Sequence, residues 1–109
     1  MFLARQGDVL VRQVQGRQPT GTDLREQGRI ILAHGEVTGH VHEVMEERRP
    51  GESPAAQFFE EPDGRRFLFV ERACVLVHQE HGPIALARGC YAVTRQREYA
   101  PDEIRTVAD

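Results

Sequence analysis

Residues 57–70 read QFFEEPDGRRFLFV, and this stretch decides the fold class. Two runs rich in aromatic and aliphatic side chains flank the tetrapeptide EPDG at residues 61–64. Pro62 presets the first φ of a turn, and Gly64 tolerates a positive φ. The stretch therefore predicts an antiparallel β-hairpin with strands over residues 57–60 and 65–70.

Turn-forming residues also separate short apolar runs along the rest of the chain. Ten glycines and six prolines separate short apolar runs, and no long segment keeps a helical period. Pro101, with acidic residues behind it, predicts a short C-terminal helix that ends near Val107. The polar residues 15–27 and 46–54 read as loops. Further strands are predicted over residues 9–14, 29–34, 36–38, 40–45, 73–78, 84–86 and 90–97. This pattern predicts an all-β fold, either a small barrel or a two-sheet sandwich.

Length and composition limit what the protein is. A chain of 109 residues supports one modest core, so we expect residues 1–109 to form a single domain. No apolar stretch approaches the length of a membrane span, and the first residues lack a long apolar signal segment, which favours a soluble cytoplasmic protein. A net charge of −3 disfavours nucleic acid as a partner. Cys74 and Cys90 lie in apolar runs and are expected to be buried, reduced thiols. The core candidates are Val9, Val11, Ile31, Phe67, Phe69, Val75, Val77, Tyr91 and Val93.

The five histidines fall in two segments, residues 34–42 and 78–81. On a strand His40 and His42 share one face about 7 Å apart, a spacing at which two imidazoles can bind one cation. His78 and Glu80 share a face in the same way, and His81 joins them if the strand bulges or ends before Gly82. We therefore predict a shared site that binds a divalent metal, Zn, Fe, Mn or Ni. Its candidate ligands are His40, His42, His78, Glu80 and His81.

Other interpretations of these histidines stay open. They can serve as structural hydrogen-bonding groups or as exposed side chains without a role, and His34 alone is expected to be structural. Without a metal, the same imidazoles and carboxylates can act as acid and base near neutral pH. The residues identify no reaction and do not establish whether the protein is an enzyme. A second hypothesis is a non-enzymatic module that forms homo-oligomers or docks on a protein partner, as in a phage- or defence-associated complex.

Residues 35–46, GEVTGHVHEVME, followed by Gly51, resemble the first metal motif of the cupins. The resemblance implies a small β-barrel that holds a divalent metal on His40, His42 and Glu46. The spacer after Gly35 is one residue shorter than in that motif. The cupins have a second metal motif, whose place is taken here by residues 87–92, ARGCYA. In that segment Ala87 stands where the motif has a proline, and Ala92 stands where it has a metal-binding histidine.

A second resemblance covers more of the chain. The segments GDV at residues 7–9, GEVTGHVH at 35–42, HQEHGP at 78–83 and QREY at 96–99 are together similar to a group of short, uncharacterised bacterial and phage-encoded proteins. That resemblance implies one intact domain and supplies no substrate.

Overall fold

The computed structural model describes residues 2–18, 20–35, 39–47 and 50–96. Within these ranges the chain forms strands and no helix. The strands are β1 Leu3–Gln6, β2 Val9–Val14, β3 Thr22–Asp23, β4 Ile30–His34, β5 Val41–Met45, β6 Ala56–Glu60, β7 Arg66–Val70, β8 Cys74–Val77, β9 Ile84–Leu86 and β10 Gly89–Arg95. No helix in the described part of the chain is long and apolar enough to cross a membrane.

The strands form two antiparallel sheets, one of six strands in the order β1-β2-β10-β7-β6-β3 and one of four in the order β4-β5-β8-β9. Inward-facing side chains of both sheets pack into one core, for example Leu68 and Tyr91 from the larger sheet and Leu32 and Leu76 from the smaller. The all-β prediction is confirmed in its sandwich form. The barrel alternative is wrong, because no ladder among the described strands joins the two sheets. The predicted helix at residues 101–107 lies outside the described residues.

The predicted hairpin is confirmed as β6 and β7. The Glu61 N–H donates to the carbonyl of Arg65 over 2.8 Å, and the Gly64 N–H donates to the carbonyl of Glu61 over 2.8 Å. Gly64 adopts φ 92°, a conformation that side chains with a Cβ rarely take. Phe58 and Leu68 pair across the ladder and are both buried in the core.

Two short strands fall where the sequence predicted none. Strand β1 precedes the strand expected to be the first, and β3 pairs with β6 from inside the predicted loop at residues 15–27. Six core candidates are buried: Val9, Val11, Ile31, Phe67, Tyr91 and Val93. Val75 is 37% exposed, so its assignment to the core is wrong, because only alternate side chains of β8 face the core. Phe69 and Val77 are half-buried. Both cysteines are free and buried, as predicted.

Candidate functional site

Four histidines meet at one end of the sandwich, where three chain segments come together. The β1–β2 turn comes from the larger sheet, whereas the start of β5 and the loop after β8 come from the smaller sheet. The ring centroid of His78 lies 4.3 Å from that of His42, 4.7 Å from that of His81 and 5.6 Å from that of His40. The rings of His42 and His81 are stacked at 6.3 Å. The structure thus places the two histidine segments side by side.

A local irregularity in the β4–β5 pair accompanies the burial of His42. The register between these strands shifts between Ile31 and Ala33, so that Ala33 pairs with His42. Such bulges often re-aim a side chain beside a functional site. Both Val41 and His42 are buried, although they are neighbours on one strand. The His42 side chain is only 3% exposed.

Gln6 fixes the tautomer of His42. The Gln6 amide nitrogen donates to the carbonyls of Leu76 and Gly82, over 3.0 and 2.9 Å. Carbonyl oxygens only accept, so the amide oxygen of Gln6 faces His42 Nδ1, 2.9 Å away, and must accept from it. His42 therefore carries its proton on Nδ1. Its Nε2 keeps a free lone pair.

Asp8 faces that lone pair. Its Oδ1 lies 3.5 Å from His42 Nε2, and its Oδ2 accepts a hydrogen bond from Arg95 Nε over 2.7 Å. Burial opposes ionisation of Asp8, but the hydrogen bond and charge of Arg95 outweigh it and lower the pKa of the carboxyl. Burial, followed by the charge of neighbouring His78, lowers the pKa of His42 to about 4. At neutral pH the site thus pairs a neutral imidazole with an ionised carboxylate.

The loop after β8 holds its own histidine by backbone contacts. His78 Nδ1 accepts the N–H of Glu80 over 3.0 Å and lies 3.4 Å from the N of His81. Neutral His78 therefore carries its proton on Nε2 in this arrangement. Burial and the adjacent imidazoles of His81 and His40 lower the pKa of His78. Gln79 anchors the same loop to β5, because its Oε1 accepts the N–H of Val41 over 2.9 Å.

His40 and Glu80 form the rim of the site. His40 precedes β5, and its Nδ1 lies 3.9 Å from Glu80 Oε2, which is too long for a hydrogen bond. The Glu80 side chain is 66% exposed. Glu46, which the cupin resemblance implies as a ligand, is not brought to the cluster. It pairs with Arg25 over 2.7 Å beyond the other end of β5.

Gly7 makes room for the imidazoles. It lies in the β1–β2 turn with φ 60°, and a Cβ there would come within 2.8 Å of His81 Nε2 and 3.1 Å of His42 Cε1. The backbone of this turn therefore lies directly against the two rings. His34, by contrast, is outside the cluster, exposed, and 2.9 Å from Glu26.

The cluster is not a preformed metal centre. Among the described residues, no three His, Cys, Asp or Glu side chains already stand in a metal-binding arrangement. One reason is that the Nδ1 atoms of His42 and His78 are both committed to hydrogen bonds within the protein. The ring nitrogens still free in this geometry include Nε2 of His42, beside Asp8.

A family model described as a domain of unknown function, DUF8820, matches residues 5–96. The chain belongs to the DUF8820 family. The match spans every residue of the site, from Gln6 to Arg95. No curated protein and no solved structure matches the chain significantly. DUF8820 membership assigns no activity, so the chemistry has to be argued from the site.

Sequence reasoning missed Gln6, Asp8 and Arg95 as partners of the histidines in this DUF8820 domain. Gly7 and Asp8 were visible only as a turn before a strand. Their contact with His42 depends on how the two sheets pack, which no local pattern encodes. The sequence does allow one general expectation. A histidine on a buried strand needs a hydrogen-bond partner, so some polar side chain must reach it.

Proposed function

We propose that this protein binds one divalent first-row metal ion at the histidine cluster through His42 Nε2, His81 and Asp8. The observation that carries the proposal is the fixed tautomer of His42, whose Nε2 lone pair faces Asp8 while Gln6 holds its Nδ1–H. A metal-bound histidine almost always donates its other ring N–H to an oxygen of the protein. Gln6 supplies that oxygen before any ion arrives.

The separation of the two fixed donors fits one ion. Tetrahedral zinc with bonds of about 2.0–2.1 Å holds its ligand atoms about 3.3 Å apart. His42 Nε2 and Asp8 Oδ1 are 3.5 Å apart. Both are already in the protonation states that a ligand needs, because the pKa of each group is lowered.

The third ligand, His81, has to rotate to reach the ion. His81 is exposed, its ring stacks 6.3 Å from that of His42, and its Nε2 lies close to Gly7, the residue before Asp8. Two imidazoles and one carboxylate suit Zn, Fe, Mn and Ni and leave a coordination position open for water or a small molecule. An ion there could act as a Lewis acid. His40, His78 and Glu80 then line the entrance.

Metal titration of tag-free, metal-stripped protein tests the proposal. Isothermal titration with Zn²⁺, and metal analysis after dialysis against each of the four ions, should show about one ion per chain. His42→Gln and His81→Gln should each weaken Zn²⁺ binding by about 100-fold, and His34→Gln, the matched control outside the cluster, should leave it unchanged. Failure of all four ions to remain bound would refute the proposal, as would an equal loss in the His34 variant.

Self-association is a second candidate function, favoured by one exposed pair. Met45 on β5 and Val75 on β8 are direct partners across the ladder, and they are 51% and 37% exposed on the outer face of the smaller sheet. Contact with a second copy would remove these two apolar side chains from water. Sedimentation should then show a dimer that Met45→Glu dissociates, while Glu52→Gln on the exposed loop does not.

A further inference from the structure

A second concave site lies away from the histidine rings. A groove of about 480 Å³ runs over β2, β7 and β10, with the loop after β2 and the β6–β7 turn at its sides. Among the residues that the structure describes, its lining includes no carboxylate. It includes five arginines, Arg12, Arg17, Arg65, Arg66 and Arg95, of which Arg66 and Arg95 reach carbonyls of β4 in the other sheet.

We propose that this groove binds a nucleoside monophosphate, with the phosphate on the arginines and the base on a flat surface over Phe67. A guanidinium fork recognises phosphate oxygens through two parallel hydrogen bonds. The apolar part of the lining, which includes Val14, Phe67 and Ala92, suits the base and disfavours a fully hydrated anion. The groove shares Arg95 with the metal site, where Arg95 holds Asp8, but the contacts proposed for the nucleotide rest on Arg12, Arg17 and Phe67, which are outside that site.

Arg95 is committed to Asp8 and to the carbonyl of His34, whereas three other arginines are held only by partly exposed carboxylates. Arg17 pairs with Glu61 over 3.0 Å, Arg65 with Asp63 over 2.7 Å, and Arg66 lies 3.6 Å from Glu60. Partly exposed pairs of this kind contribute little free energy, so a phosphate can replace a carboxylate at modest cost. Arg12 makes no ion pair within the described part of the chain. Its guanidinium is free to take the phosphate directly.

The flat surface comes from one stacked pair. The guanidinium of Arg17 lies over the ring of Phe67, 4.2 Å from its centroid, and the guanidinium of Arg65 lies 5.9 Å from the same centroid. Phe67 is only 5% exposed beneath them. Bases stack readily on guanidinium planes and aromatic rings. A base in this groove would therefore stack on the Arg17 guanidinium, which itself covers the ring of Phe67.

Charge and size select a single nucleotide over a polynucleotide. The net charge of −3 repels a long polyanion, which needs an extended basic face. A single phosphate needs only Arg12 and one neighbouring arginine whose partly exposed carboxylate it can replace. The volume of about 480 Å³ lies in the range of small-molecule sites.

Nuclear magnetic resonance of the ¹⁵N-labelled, metal-stripped protein can test the proposal with AMP as the probe. AMP should bind with a Kd on the order of 10–100 μM, with the largest shifts at the amides of Gly64, Ala92 and Thr94. Adenosine and inorganic phosphate, each lacking half of the ligand, should bind at least about tenfold more weakly.

Arg12→Gln should weaken AMP binding by about tenfold, and Arg17→Gln by a similar factor. Arg5→Gln, an exposed arginine on β1 outside the groove, is the matched control and should bind as the parent does. Three results would overturn the proposal: inorganic phosphate binding as tightly as AMP, binding of a ten-nucleotide oligouridylate without binding of AMP, or AMP binding that survives Arg12→Gln. His42→Gln should leave AMP binding unchanged, so failure of the metal proposal would not produce any of these results.

Discussion

A single uncharged side chain controls the chemistry of the histidine cluster. Gln6 is 1% exposed and makes three hydrogen bonds that join the end of β1 to β5, to β8 and to the loop before β9. Its two donors satisfy carbonyls of the smaller sheet and its adjoining loop, and its acceptor fixes the proton of His42. Geometry and protonation at the site are thus set by one residue that sequence patterns do not mark.

Gln6→Ala should destabilise the fold by about 2–3 kcal/mol, because it removes the acceptor of the buried His42 Nδ1–H and the Gln6 hydrogen bonds to the carbonyls of Leu76 and Gly82. Urea unfolding measures the loss. Gln57→Ala on the exposed face of β6 is the control and should cost less than about 0.5 kcal/mol. Similar free energies of unfolding for the two variants would contradict the role of Gln6.

The stability cost of Gly7→Ala can be compared with that of Gly16→Ala, because the backbone strain common to both variants then cancels. Gly7 and Gly16 both adopt positive φ, 60° and 74°, but a Cβ at Gly16 would meet nothing within 4 Å. Gly16→Ala should therefore cost only the conformational strain, about 1 kcal/mol. Gly7→Ala should cost more and displace His81, which the ¹³C shifts of the His81 ring would report. Equal costs and an unmoved His81 ring would place the imidazoles farther from this turn.

At the scale of single elements, the strands that carry their own turn chemistry were predictable. The hairpin of β6 and β7 follows from Pro62 and Gly64, and strand β2 spans Val9–Val14 as predicted. The burial of particular positions was less predictable. Val75 reads as core because β8 is apolar on both faces, but it lies on the outer face of the smaller sheet and is 37% exposed. Strand β3 has only two residues, so its pairing with β6 is set by tertiary contact and leaves no sequence period.

Alanine substitutions at two phenylalanines of the hairpin should distinguish a core position from a half-buried one. Phe58 is 1% exposed, and Phe58→Ala should cost about 3–5 kcal/mol because it leaves a cavity between the sheets. Phe69 is half-buried on the other face, so Phe69→Ala should cost about 1–2 kcal/mol. Denaturant unfolding of both variants measures the difference. A larger loss for Phe69 would mean that its face of the sheet is covered in solution.

At the scale of the whole molecule, the candidate site exists only because two sheets meet. The alternation of His40 and His42 and the position of His78 after an apolar strand predicted convergence, and the ring centroids of His40 and His42 lie 5.6 and 4.3 Å from that of His78. The carboxylate that faces them is on the other sheet. Asp8 is held by Arg95, 87 residues later in the chain, and this distant pairing is what local patterns could not reveal.

The same packing should make the metal-free protein sensitive to acid. The pKa of His42 is about 4 in the fold, below its ordinary 6.5, so between these values the unfolded chain takes up a proton that the folded chain refuses. Stability contributed by neutral His42 is therefore complete above about pH 7 and is lost as the pH falls, by about 2 kcal/mol between pH 7 and 5. Lowering of the pKa of His78 acts in the same direction.

Urea unfolding at pH 7 and 5 should show this loss in the parent and in His34→Gln, and a smaller loss in His42→Gln. A parent stability that stays constant across this range would mean that His42 takes up its proton in the folded state, and the cluster would then offer a cation in place of the free Nε2 lone pair.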